Sequence, residues 1–453
     1  PLSFSAQTAP SLKELVDAAM SKDAAIEQQN LESKANGLDQ QKLKDIFLPK
    51  VEISGKGEYL NATAKFLSPE IAIPAIKPIF PGAVFPEGTF DNNFTLSGFD
   101  AAAKVEAKAL LYSGGKVKYL KQALTEKNNA TQALQGKNQD EVITQISKAY
   151  DQFALVAESK NVLDESKKRL DANKKTAEKA LGYGLITPYD YKKIELAQAT
   201  LNSKMVEYEG KKELLITQLH LLTGIDKERI ALINPNLEKI EYLVTDESID
   251  NRAELKALDF GMKAIDAKIK AEKTWWIPKI QAMTSLSYMG FYNTNISSSK
   301  ALMPGTGAKL DYDLTNLNLL PIFQAGIGFK WDVFDGNEGK HEVEKAKIDR
   351  EILESKKSDA ERKLQLNLAN NQTNYNIANA QVDLKATAKQ IAKNALTQAE
   401  KEFRYGLIKA TQLIEAENDL EVAELDYQTA IFNQRRAAIE LMKSTQNLNL
   451  EKL

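Results

Sequence analysis

Four letters fall twice at a fixed distance in this chain, and that repetition constrains its fold more than any other feature. Tyr183-Gly184-Leu185-Ile186 returns 222 positions later as Tyr405-Gly406-Leu407-Ile408. At the same offset Leu111-Tyr112-Ser113-Gly114 meets Val333-Phe334-Asp335-Gly336, and Thr223 falls on Thr445. Upstream, Ile46-Phe47-Leu48-Pro49-Lys50-Val51 matches Trp275-Trp276-Ile277-Pro278-Lys279-Ile280 at an offset of 229, so one segment is seven residues shorter in the second copy. Shared order and spacing over this length mark a tandem duplication. The division is expected at 1–235 and 236–453.

Each copy reads in the same order. A helical segment opens at Ser11, an N-cap with Glu14 three residues on, and Pro49 ends it. Strands follow at about 49–62 and 92–112, and in the second copy at about 278–292 and 319–334. Period-two alternation carries them: Val51, Ile53 and Tyr59 in one copy, and Phe323, Ala325, Ile327, Phe329, Trp331 and Val333 in the other. Stretches rich in Pro, Gly, Ser and Asn, 68–93 and 293–318, read as loops.

After Gly115 and Gly339 the pattern turns helical. Hairpins of long helices are expected at about 116–224 and 340–446, each turning at its Tyr-Gly-Leu-Ile tip. Ile194, Leu201, Tyr208, Leu215 and Leu222 recur every seven residues, and Ala416, Ala423, Ala430 and Ala437 repeat that spacing in the second copy. A sustained period of that length means coiled-coil packing rather than a globular core.

Composition then removes whole classes of function. Lys plus Arg number 60 and Asp plus Glu 62, for a net charge of −2. That balance leaves no electrostatic case for nucleic acid. There is no cysteine and there are only two histidines, His220 and His341, without ligand spacing around either; thiol chemistry, disulfides and Cys-ligated zinc are excluded. No metal or cofactor is expected. Gly336-Asn337-Glu338-Gly339-Lys340 lacks the spacer and hydroxyl of a phosphate loop. His220 reads as a packed or surface histidine. No run of apolar residues is long enough for a membrane-spanning helix. Residues 1–7 read as the tail of a cleaved secretory signal or, equally, as a trimmed end.

Four strands are too few to close a barrel. A row such as Phe323, Ile327, Phe329 and Trp331 needs either a covering layer or lipid. Lipid satisfies it if several chains close the barrel together. A soluble coiled-coil scaffold carrying a small sheet is the alternative.

With its duplicated strand–loop–strand–hairpin order, the Pro before the first strand of each copy and the Gly-Leu turns, the chain resembles the TolC-type outer membrane efflux proteins from about Ser11 to Gln446. The resemblance implies a mainly α protein with a transmembrane β part. It would be a homotrimer with a twelve-stranded outer-membrane β-barrel, continued by a long α-helical barrel into the periplasm. It implies no catalysis. The protein would be the outer-membrane exit duct of a tripartite efflux pump or type I secretion system in a Gram-negative bacterium. Its partners would be a periplasmic adaptor, an inner-membrane pump and outer-membrane lipid.

The same resemblance assigns residues. Tyr183, Gly184, Leu185, Tyr405, Gly406 and Leu407 would dock the adaptor. Gln412 and Glu415 stand where the family's periplasmic gate has acids, and Asp190 where it has a helix-locking aspartate. The family partners of that lock are absent, because Phe403 and Ile408 occupy their places; Arg404 is expected to take over part of the role. Trp275, Trp276 and Trp331 would be interface aromatics.

Overall fold

The computed structural model describes residues 8–241, 248–446 and 448–452. Residues 1–7, where a signal remnant was expected, lie outside them. In chain order the elements are α1 (Leu12–Lys22), α2 (Ala24–Asp45), β1 (Lys50–Phe66), β2 (Ile71–Ile73), β3 (Ala83–Phe85), β4 (Asn92–Tyr112), α3 (Lys116–Gly182) and α4 (Pro188–Thr223). Then follow α5 (Lys227–Ile230), α6 (Ala253–Glu272), β5 (Lys279–Ala301), β6 (Lys309–Lys330), α7 (Glu338–Arg404) and α8 (Ala410–Ser444). The chain divides into two compact units: 1–39, 122–268 and 345–453 form one, and 40–121 with 269–344 form the other.

The first unit is helical. Helices α3 and α7 each have 67 residues, about 100 Å at 1.5 Å per residue. The seven-residue stripe of α4 is buried as its spacing requires: Ile194, Leu201, Tyr208 and Leu215 all lie in one core cluster with Ile146, Phe153, Leu163 and Leu170 of α3. On α8 Ala430 of the small-residue stripe is buried, and Ala416, Ala423 and Ala437 are only partly buried. Leu413, Leu420, Ile439 and Met442 are buried too.

The N-terminal helical segment is also interrupted. Ser11 caps α1, its hydroxyl accepting from the Glu14 amide at 3.1 Å. The Asp23 carboxylate then accepts from the amides of Ala25 and Ile26, both at 3.0 Å, and starts α2 as a separate helix. Among the described residues no helix is long and apolar enough to cross a membrane.

One buried acid in this unit supports a pH prediction. Asp140 of α3 accepts from the Gln446 side chain, and burial pushes its pKa up to about 6. A carboxyl raised in the folded state stabilises fully below its ordinary pKa, and that contribution is lost as pH rises through about 6. Asp140→Asn is therefore expected to raise the melting temperature by a few degrees at about pH 8 and to leave it unchanged at about pH 4. Equal shifts at both pH values in thermal unfolding would count against this reading.

The second unit is a four-stranded antiparallel sheet in the order β1-β4-β5-β6, with the small hairpin β2-β3 set between β1 and β4 in sequence. The β4–β5 pair is therefore where the two sequence copies meet. The strands are longer than the alternation suggests. Residues 293–318, expected as a loop, are mostly strand: β5 continues to Ala301 and β6 begins at Lys309. Their side chains (Asn293 to Lys300, and Asp311, Asp313, Thr315) are too polar to show the apolar period, but the backbone ladder continues without it. At the other end β6 stops at Lys330, so Trp331 and Val333 lie beyond the strand expected to hold them.

Candidate functional site

Each long hairpin turns through the same hydrogen-bond pattern. Gly184 has φ 72° and Gly406 has φ 71°, a left-handed backbone that glycine adopts without a Cβ penalty. The Leu185 amide donates to the Ala180 carbonyl at 2.8 Å and the Gly184 amide to Leu181 at 3.0 Å. At the second tip Leu407 donates to Glu402 at 2.9 Å and Gly406 to Phe403 at 3.0 Å. Both are Schellman closures, in which the residue after the glycine commonly folds back onto the helix. Here it does not. Leu185 is 76% exposed and Leu407 72%, with Tyr183 and Tyr405 equally open. Two apolar side chains per tip are thus held clear of the core by a rigid turn.

Asp190 and Gln412 occupy one and the same place in the two copies, 222 positions apart. Each sits three residues after a helix N-cap. The Asp190 carboxylate accepts from the Thr187 hydroxyl at 2.7 Å and the Thr187 amide at 3.3 Å, while the Asp190 amide donates back to the Thr187 hydroxyl at 3.1 Å. That hydroxyl contact holds the exposed carboxyl below its ordinary pKa. Gln412 accepts from the Lys409 amide at 3.1 Å. Within the chain, then, both close the helix that leaves the tip. Glu415 is exposed one turn further along α8, and Phe403 is buried at the end of α7. Arg404 is exposed and makes no ion pair among the described residues.

A connection that sequence reasoning missed lies farther from the tips. Arg169 of α3 donates from Nε to Glu417 of α8 at 3.0 Å, and Asn173 donates to the other oxygen of Glu417 at 3.1 Å. Lys204 of α4 pairs with Glu421 in the same way. Glu417 and Glu421 are both buried. Desolvation raises the pKa of Glu417, against the lowering pull of Arg169. These contacts tie the first hairpin to the second. One signal was present in the sequence: Glu417 stands on the apolar stripe between Leu413 and Leu420. Its partner lies 248 residues away, and only folding names it.

The sheet has two chemically different faces where its strands join the helices. Ile53, Val105, Leu286 and Phe323 stand in register across all four strands, and Ile327 and Phe329 continue the row on β6 beside Ala282 and Ile280. All four candidate lipid-facing residues are open, with Phe323, Ile327 and Phe329 at least 70% exposed and Trp331 at 51%. The opposite face carries Lys56 and Asp100 (3.3 Å) and Glu106 between Lys104 (3.2 Å) and Lys108 (2.9 Å). Among the described residues no hydrophobic core cluster includes a strand residue. Trp331 lies just past β6, and its indole donates to the Trp276 carbonyl at 2.8 Å; Trp275 packs against Gly339. The His220 Nδ1 donates to the Ile225 carbonyl at 2.8 Å, just past the end of α4. Among the described residues no acid or histidine group could hold a metal ion.

Long helical hairpins with exposed glycine tips and a four-stranded sheet with two different faces make up a fold shared with known outer membrane proteins. The same fold is found in the outer membrane protein VceC of Vibrio cholerae, with a TM-score of 0.68 at 14% identity over 96% of each chain. It recurs in the Campylobacter jejuni CmeC outer membrane channel, with a TM-score of 0.68 at 13% identity, over 99% of this chain and 91% of that one. The open-state MtrE outer membrane channel of Neisseria gonorrhoeae gives 0.63 at 15% identity, over 96% and 89%. No curated protein matches by sequence. Residues 244–446 match the family model described as outer membrane efflux protein. That match covers the second copy, a little under half of the chain, while the fold of the whole chain is that of these outer membrane channels.

Proposed function

We propose that this protein is the outer-membrane exit duct of a tripartite efflux pump or type I secretion system. Three copies of the duplicated protomer, 1–235 and 236–453, close one twelve-stranded barrel that continues as a long α-helical barrel in the periplasm. The observation that carries this reading is the sheet. It has long unpaired edges at β1 and β6, an uncovered apolar face and a charged opposite face. An edge of that length invites another chain, and barrel closure removes it. A transmembrane strand needs about 9–11 residues, which residues 51–59, apolar on one face, supply. The charged face would then line the lumen.

In this reading the duct is passive. Tyr183, Gly184, Leu185, Tyr405, Gly406 and Leu407 dock the hairpin tips of a periplasmic adaptor, which in turn holds an inner-membrane pump. Three Glu415 carboxylates surround the axis near the periplasmic entrance and favour cations. Asp190 and Gln412 shape the helix starts that bring this ring together. Electron microscopy of detergent-extracted particles tests the whole: a hollow threefold rod is expected. A compact particle that leaves the membrane in a salt wash would replace the duct by a coiled-coil scaffold.

The closed state is held, we infer, by the buried contacts of Glu417 and Glu421 with Arg169 and Lys204. Removing one partner of a buried pair leaves an uncompensated charge and costs about 3–5 kcal/mol. Arg169→Ala is therefore expected to give trimers with markedly higher conductance in planar bilayers. Trimers of wild-type conductance would show that the tip is held shut elsewhere.

A further inference from the structure

The apolar side of the sheet does not stay on one face. Ile53, Val105, Leu286 and Phe323 define one face near the helices. Strand β1 runs against β4 without a register shift from Lys50 to Phe66, so its alternate residues keep their sides. On the Ile53 side, the residues beyond Tyr59 are Asn61, Thr63 and Lys65. Asn61 continues across the sheet as Ser97, Asn295 and Asp313, and Thr63 as Thr95, Ser297 and Asp311. Polar contacts knit this belt: Thr63 to Thr95 at 3.1 Å, and Asn295 to Asp311 and Asp313, both at 2.8 Å. On the opposite side, charged near the helices, the same half carries Leu60, Ala62, Ala64 and Phe66, with Ala62 in line with Leu96 and Ile296. The two faces exchange character at Tyr59, whose ring packs edge-on against Phe99 with centroids 5.2 Å apart.

Beyond this half lies a segment that is apolar again. Residues 67–91 expose Leu67, Ile73, Ile76, Ile79 and Val84, with Ile79 at 85%. Lys77 is the only charged residue from 71 to 86, and five of the chain's 13 prolines fall between 67 and 91. The segment is built rather than loose. The Asp91 carboxylate accepts from the Ser68 amide at 2.9 Å, the Ser68 hydroxyl from the Phe90 amide at 2.9 Å, and the Ser68 carbonyl from the Gly88 amide at 2.9 Å. Asn92 fixes the neck to Lys300 of β5 through two bonds of 2.9 Å. The neighbouring turn 302–308 carries no charge and exposes Leu302 and Met303.

Lipid does not reach this surface if it covers the Ile53 face. Between Tyr59 and Leu67 the strand climbs roughly 18 Å at a barrel tilt, and the intervening outward belt is polar. The other apolar surfaces at that height are the turn 302–308 and the same segment of a neighbouring copy. We propose that the 67–91 segments of three copies pack against one another across the outer mouth of the barrel, over a lumen whose upper stretch is lined by Leu60, Ala62, Leu96 and Ile296. The occupant of this surface is a second copy of this chain, and the contact forms an apolar constriction that excludes water and ions. This rests on the barrel closure proposed above.

The chain lacks cysteine, so single cysteines report cleanly. Trimers whose barrels are verified by electron microscopy are to be treated with a short bis-maleimide. Crosslinked dimers are expected for Ile76→Cys, Ile79→Cys and Val84→Cys, and none for Lys65→Cys in the polar belt. Ile79→Asp is expected to raise single-channel conductance several-fold. Verified trimers without crosslinks at 76, 79 and 84, and with wild-type conductance in Ile79→Asp, would overturn the inference. Labelling of Ile79→Cys by a lipid-borne maleimide would overturn it too, by giving the surface to the bilayer. A failure of barrel closure would show earlier, as an absence of threefold particles.

Discussion

Export is expected to cease when either tip glycine becomes glutamate, while trimers persist. Gly184 and Gly406 both have φ near 70°, and a Cβ there would meet no heavy atom within 4 Å. The cost of substitution is therefore confined to the left-handed backbone, about 1–2 kcal/mol. Such a cost is small beside the packing of a 67-residue helix. The side chain itself is another matter. It would stand between two exposed apolar residues on the surface proposed to receive an adaptor, and a buried unpaired carboxylate at an interface costs several kcal/mol. Gly184→Glu and Gly406→Glu should each appear as normal trimers on a non-denaturing gel, with export reduced to background. Normal export by both variants would remove the docking assignment. Loss of the trimer band would show instead that the turn is structural.

The second large effect is expected at the sheet. Ile327 stands beside Ala282, on the face that also carries Phe323 and Phe329. An arginine at the lipid midplane costs roughly 2–4 kcal/mol, and a homotrimer incurs that cost three times. Ile327→Arg should therefore fail to yield inserted trimers, and the chain should accumulate outside the outer-membrane fraction. Gln324 lies on the opposite face, paired with Ser285, so Gln324→Arg should insert normally and alter only conductance. Equal insertion of the two variants would mean that the row never meets lipid.

Much of this molecule is legible before it folds. Duplication is written in letters, and each tip carries its glycine because no other residue takes a left-handed turn as cheaply. The heptads of α4 are buried as their period demands, because a helical stripe has only one way to leave water. The apolar rows of β1 and β6 announce a two-sided sheet for the same reason. These features are local or periodic, and the chain's own geometry reads them out.

What escaped the letters depended on partners far away in sequence. Asp190 and Gln412 were visible as polar residues after a turn, but only their hydrogen bonds show them closing helix starts. Glu417 reads as an interruption of a stripe until Arg169 and Asn173 arrive from a helix 244 to 248 residues earlier. Residues 293–318 read as loop because their side chains are polar, yet the backbone ladder of a long hairpin pairs them all the same. The exchange of faces at Tyr59 can be read along β1, but only the register shows that it runs across the sheet, setting Asn61 beside Ser97 and Asn295. By itself the sequence determined which elements form and which of their sides avoid water. The tertiary structure decided which buried charge meets which, and how the strands line up that change of side across the sheet, because both follow from contacts that no local period encodes.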